Sequence, residues 1–178
     1  MGGLEEQAKI FVRQQLVTTC ATGQPSIWYG TCDPDVGEGE MGVINCTTSA
    51  SGATVLTKLP AFDAALAMHT VLRNDGGAPG APVDPAKGFR FVRRLPVFQN
   101  GMNTGDDWVL LFKSDNGGVL LVAWTSAAFL HVLRIPGVEP GACFAQTSYL
   151  GDALPTRCHD PRGMHVNVTN APVYLVKQ

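Results

Sequence analysis

Trp28 and Tyr29 close the short apolar run of QPSIWYG, and four carboxylates, Asp33, Asp35, Glu38 and Glu40, follow in the glycine-bearing loop TCDPDVGEGEMG. Aromatic rings offer flat apolar faces on which the C–H face of a pyranose packs, while polar neighbours bond the rim hydroxyls. Trp28 and Tyr29, with carboxylates beside them, are therefore a candidate sugar platform. The competing reading of the two aromatics is a strand-end pair buried against the chain's second domain. For Glu38 and Glu40 a solvated loop is a plainer account than a general acid/base pair. No G-x-S-x-G elbow supports a Ser/His/Asp triad.

The five cysteines are Cys20, Cys32, Cys46, Cys143 and Cys158. No CxxC occurs and the Cys/His spacing fits no common zinc site, so no metal and no cofactor is expected. His159 and His165 lie near Cys158, but hairpin ends commonly collect such residues. Cys143 and Cys158 flank the expected hairpin CFAQTSYLGDALPTRC and are disulfide candidates, because cross-strand neighbours meet the geometric limits of the bond. Cys32 and Cys46 are a second candidate pair. Two N-x-S/T sequons, at Asn45 and Asn167, are glycosylation candidates that chance alone produces often.

Hydrophobic residues make up 45% of the 178 and charged residues only 16%, enough apolar material for a packed core. A net charge of −2, with the densest basic cluster only Arg90, Arg93 and Arg94, is no phosphate-tracking surface, so nucleic acid is not an expected partner. No apolar run reaches the length of a membrane span. The opening MGGLEEQAKI is not a signal peptide, and Glu6 stands where N-myristoylation requires Ser or Thr. The residues leave the compartment undecided: without a signal the plain reading is intracellular and reduced, and an extracellular setting is open if residues precede Met1.

Apolar residues at Leu4, Ala8, Phe11, Val12, Leu16 and Val17 predict a one-faced helix over 4–20, with Gly23 as its C-cap. Ser26–Tyr29 reads as a short buried strand, and Met41–Asn45 and Ala53–Leu56 as further strands. Residues 59–73, LPAFDAALAMHTVLR, form the clearest helix, with Pro60 in the first turn and Phe62, Ala65, Leu66, His69 and Leu72 facing inward. His69 is thus expected to be a packed core histidine. After the Gly/Pro/Ala tract at 74–87 the pattern becomes short, β-branched and aromatic strands about every ten residues. Within them, SDNGG between DWVLLFK and VLLVAW is a hairpin signal. Trp108 and Trp124 read as core rather than as a carbohydrate-binding face. His131, between Leu130 and Val132, points to the face opposite theirs. The expected architecture is α+β: residues 1–75 a helix–strand–helix segment, 76–87 a linker or mobile loop, and 88–178 an antiparallel β-sandwich.

The order QAKIFVRQQL, PSIWYG, DPDVGEGEMGVI, KLPAFDAALAMHTVL resembles the end of a clan-A (β/α)₈ glycoside hydrolase of the family 39 and family 5-like group. FRFVRRLPVF, DWVLLF, VLLVAWT, CFAQTSYLGD and HVNVTNAPVYL resemble the β-sandwich that often closes such enzymes. The resemblance covers nearly the whole chain. It implies that residues 1–75 are the last helix–strand–helix of a TIM barrel. Trp28 and Tyr29 would then sit at the C-terminal end of the eighth strand, where the family uses an aromatic as a floor for the sugar. Asp33 and Glu40 match acidic loop positions and, by the resemblance, join Trp28 and Tyr29 as the candidate carbohydrate-binding set; Lys58 and Pro60 match the helix-opening motif, from which Leu59 and Phe62 depart.

Retaining glycosidases cleave with two carboxylates about 5–5.5 Å apart. The resemblance places both upstream of Met1 and matches neither to Asp33, Asp35, Glu38 or Glu40. The expectation is a truncated or degenerate glycoside-hydrolase-like chain, non-catalytic alone, that binds carbohydrate weakly. The alternatives are a structural or interaction protein built on the β-sandwich, or one subunit of a split glycosidase. The split-glycosidase reading, and the interaction reading in part, require the edges of the strand at 26–29 to be covered by the chain's own β-module, a second copy or another protein.

Overall fold

The computed structural model describes residues 3–23, 42–74, 84, 86–97 and 105–178, and the backbone of 32–34. The chain divides into two compact units, Met1–Met68 and His69–Gln178.

In the first unit, helix α1 runs Leu4–Thr22 and buries Ala8, Phe11, Val12, Gln15 and Leu16. Glu5 and Glu6 in its first turn complement the positive end of the helix dipole. Gly23 ends it in the left-handed conformation, φ 69°, and its N–H donates to the carbonyl of Thr19. A side chain there would be strained, which is why glycine serves as the cap.

Strands β1 (Cys32–Pro34), β2 (Ile44–Thr48) and β3 (Thr54–Lys58) form a sheet in that order. β1 runs parallel to β2 and β3 antiparallel to it. β2 and β3 lie further along the chain than the expected 41–45 and 53–56. Their register is set by the turn between them, in which the Ser49 N–H donates to Ala53 O and Gly52, at φ 80°, donates back to Ser49 O. Hydrophobic pattern was a poor guide here because every residue of β3 is exposed. The expected strand at 26–29 lies outside the described residues.

Helix α2 runs Pro60–Arg73. Its inward positions are Ala61, Ala64 and Ala67, while Phe62, Ala65, Leu66 and Leu72 are only half-buried. His69 is exposed, contrary to its expected place in the core. The sequence is apolar almost all round the helix, so periodicity alone did not separate the faces. The alanines form the buried one.

In the second unit, β4 (Arg90–Arg94), β5 (Asp107–Lys113), β6 (Val119–Thr125), β11 (Val173–Lys177), β8 (Cys143–Ser148) and β9 (Ala153–Cys158) make a six-stranded sheet in that order. β7 (His131–Ile135) and β10 (Met164–Val168) pair separately. All these pairings are antiparallel. Val109, Leu121, Ala123, Phe144, Val173 and Leu175 of the larger sheet share one core with Leu133, Ile135, Met164, Val166 and Val168 of the smaller. The arrangement is compatible with a β-sandwich domain. Alternation sends Leu110, Leu120, Val122, Trp124 and Tyr174 to the opposite face of the larger sheet, and these are buried too. Burial on both faces explains why VLLVAW reads as a continuous apolar run.

The SDNGG hairpin is built as its residues require. Ser114 N–H donates to Gly118 O, and Gly117 takes φ 88°. At Gly118 a Cβ would meet Ser114 Oγ at 2.5 Å.

Tyr174 carries a cost inside this well-packed sheet. It is fully buried, and its hydroxyl has no hydrogen-bond partner among the described residues. A buried unsatisfied hydroxyl costs about 1–3 kcal/mol, so Tyr174→Phe stabilises the protein by about 1 kcal/mol, read as a higher urea midpoint at pH 7. Burial also pushes the phenol's pKa strongly upward. The unfolded phenol ionises near pH 10 while the folded one stays protonated, so stability falls as pH rises through about 10. The advantage of Tyr174→Phe therefore grows above that pH. An equal or smaller gain at pH 11 than at pH 7 would contradict this.

Candidate functional site

Trp28, Tyr29 and Glu40 lie outside the described residues. Asp33 is described by its backbone, which stands beside Asn45 in the parallel pairing of β1 with β2. The elements that flank the acidic loop are fixed from two directions. Gln7 of α1 donates from Nε2 to the carbonyl of Gly42 at 3.1 Å. On the far side of the hairpin, buried Leu59 donates its N–H to Val43 O.

Lys58 and Pro60, the helix-opening pair, take distinct parts. Pro60 is the first residue of α2, where its missing N–H costs nothing. Lys58 places its ammonium 4.8 Å from the centre of the Phe62 ring, a cation–π contact across the first turn.

A second cluster, formed by residues that sequence reasoning did not join, lies at one end of the second unit. Asp107 opens β5 and is almost wholly buried. Its Oδ1 lies 2.6 Å from Nε2 of His131, the first residue of β7. The pair ties the larger sheet to the smaller. His131 does face away from Leu130 and Val132, which are exposed, as strand alternation predicts. Asp107 gave no comparable signal, because a carboxylate that opens a strand reads as a turn residue.

Arg94 belongs to the same cluster. Its Nη2 donates to the carbonyls of Asp107, at 2.7 Å, and Gly105, at 3.1 Å. Its guanidinium lies 3.6 Å from the centre of the Trp108 ring. Trp108 in turn stacks on Trp124 with centroids 5.4 Å apart and planes within 5°. One face of Trp108 is thus covered by Arg94 and the other by Trp124, an arrangement that fills the rings with protein rather than presenting them to a sugar. The cluster's chemistry is cohesion: a charged fork, two stacked indoles and a buried carboxylate–imidazole pair.

Among the described residues no three His, Cys, Asp or Glu side chains are grouped to hold a metal ion. The Cys158 thiol beside His159 and His165 is engaged in a disulfide with Cys143. Cys46 is also disulfide-bonded, while the side chain of Cys32 lies outside the description. Cys20 is a free thiol, and partial burial pushes its pKa up to about 11.

No protein-family model and no curated protein matches the sequence. Among solved structures, the chain is similar to a family 39 glycoside hydrolase from the gut symbiont Bacteroides cellulosilyticus WH2, with a TM-score of 0.64 and 18% identity. That match covers 99% of this chain and 31% of the other, so the chain spans about a third of that enzyme's length. A GH27 β-L-arabinopyranosidase from Geobacillus stearothermophilus aligns at a TM-score of 0.41 and 9% identity, covering 97% of this chain and 42% of that one. The fold of this chain is therefore like that of part of a glycoside hydrolase.

Proposed function

We propose that the chain is a carbohydrate-positioning part of a clan-A glycoside-hydrolase-like fold. Residues 1–75 are read as the closing helix–strand–helix of the barrel, and residues 88–178 as its β-sandwich. Trp28 and Tyr29 form the floor for a sugar ring, and Asp33 and Glu40 bond its hydroxyls. Cleavage is assigned to none of the 178 residues, since none matches a catalytic carboxylate of the family. The observation that carries this reading is the likeness in fold, at a TM-score of 0.64, over 99% of this chain.

Titration of the protein with a panel of neutral oligosaccharides, followed by tryptophan fluorescence, tests it. The expected result is a saturable change with at least one oligosaccharide, lost in Trp28→Ala. Trp108 and Trp124 are stacked on each other, so a signal from them survives that substitution and identifies itself. No saturable change, or one indifferent to both Trp28→Ala and Tyr29→Ala, ends the proposal. Aryl glycosides are expected to remain uncleaved. A rate abolished by Glu38→Gln or Glu40→Gln would instead place the chemistry in the acidic loop.

A further inference from the structure

We propose that Asn167 is an N-glycan acceptor, that Asn45 is not, and that the glycan shields the exposed apolar surface beside it. Both residues stand in N-x-T sequons, Asn45-Cys46-Thr47 and Asn167-Val168-Thr169. The folded chain treats them in opposite ways. Asn167 is exposed on β10, between buried Val166 and Val168. Asn45 lies within β2, and its amide oxygen is buried without a hydrogen-bond partner among the described residues. A bulky, solvated glycan fits the first position and would force the second out of its packing.

The cysteines add an independent observation. Cys143 and Cys158 are joined, and Cys46 is disulfide-bonded as well. Such bonds form and persist in oxidising compartments and are rare where thiols are kept reduced. In a eukaryotic cell the secretory route that makes disulfides is also the one that glycosylates sequons. This departs from the reduced, intracellular setting that the N-terminal residues suggested.

The neighbourhood of Asn167 supplies the consequence. Its cross-strand partner on β7 is Val132. Val132 is exposed, and so are Leu130 and Phe129 just before it, at 61% and 69%. Directly opposed residues on one sheet face stand close enough to touch, so the first sugars on Asn167 lie over Val132 and its neighbours. Exposed apolar groups in such a cluster are an association liability unless something covers them.

The transfer balances simply. The side-chain nitrogen of Asn167 attacks the anomeric carbon of a polyprenyl-diphosphate-linked oligosaccharide. The C1–N bond forms, the C1–O bond to the diphosphate breaks, and the diphosphate leaves with the electron pair. The amide nitrogen gives one proton to base.

The test is expression of the full chain through a eukaryotic secretory pathway, followed by peptide mass mapping before and after amidase release of N-glycans. Release converts a glycosylated asparagine to aspartate and so marks each site. The expected result is conversion at 167 and none at 45. Secreted, folded protein with asparagine unmodified at 167 overturns the proposal, and occupancy at 45 overturns its structural basis. For the shielding, binding of a hydrophobic fluorescent dye is compared between glycosylated protein, enzymatically deglycosylated protein and Val132→Thr. Deglycosylation raises dye fluorescence in the parent and raises it less in Val132→Thr. An equal rise in both removes the shielding role.

Discussion

Replacing Trp124 by alanine lowers the unfolding free energy by about 3–5 kcal/mol, the range for truncating a buried aromatic. For a chain of this size that corresponds to a fall in Tm of roughly 10 °C. Trp124 is buried at the end of β6 and lies against Trp108 in a near-parallel stack. Removing the indole leaves a cavity in a sheet already buried on both faces, and the surrounding strands have little freedom to collapse into it. It also strips one face of Trp108, whose other face is held by Arg94. Trp124→Phe keeps an aromatic surface against Trp108 and loses less. The stacked pair adds a spectroscopic check: excitonic coupling in the near- and far-ultraviolet circular dichroism disappears in both variants, while only the alanine suffers the large loss of stability. A loss below about 1 kcal/mol in Trp124→Ala would show that the stack is peripheral to folding.

How much of this was legible in the sequence varies with the physical signal each element carries. α1 was readable because one face is apolar at helical spacing and Gly23 stands where the left-handed cap is needed. The strands of the second unit were readable because VLLVAW and DWVLLFK are short, branched and bounded by SDNGG. The face of α2 was not, because apolar residues surround it and the buried stripe is three alanines rather than its larger side chains. β1 and the positions of β2 and β3 were also missed. β2 is half-buried at best and β3 exposed throughout, so backbone pairing and a turn, not hydrophobic period, define them.

The candidate site shows the same division. Trp28, Tyr29 and the acidic residues became candidates by type alone, through the match between aromatic rings and sugar faces, and Trp28, Tyr29 and Glu40 lie outside the described residues. The Asp107–His131 pair did not, since its members are 24 residues apart and neither belongs to a motif. Only one part of that pair, the turning of His131 to the face opposite Leu130 and Val132, followed from strand alternation. What joins them is the packing of one sheet on another, a long-range consequence of topology that no local spacing encodes.

Breaking the Cys143–Cys158 bond with the double change Cys143→Ser/Cys158→Ser costs about 3 kcal/mol, the chain-entropy value for closing a loop of this length. The two cysteines are 15 residues apart and directly opposed in the pairing of β8 with β9. The effect is local in origin because β9 has little else to hold it. Every residue of β9 is exposed, and the strand lies at the edge of the six-stranded sheet. Pro155 within it has no N–H to donate, a feature tolerated at an edge and one that discourages pairing with another chain. β8, by contrast, is held on its other side by β11, whose buried Tyr174 and Leu175 belong to the centre of the sheet. Hydrogen exchange reads the difference directly. In the double variant, and in the parent under reductant, amides of β9 lose protection while those of β6 and β11 keep theirs. Loss of protection throughout the sheet would mean that the bond secures the whole fold, and unchanged protection in β9 would mean that the strand holds its place by backbone pairing alone.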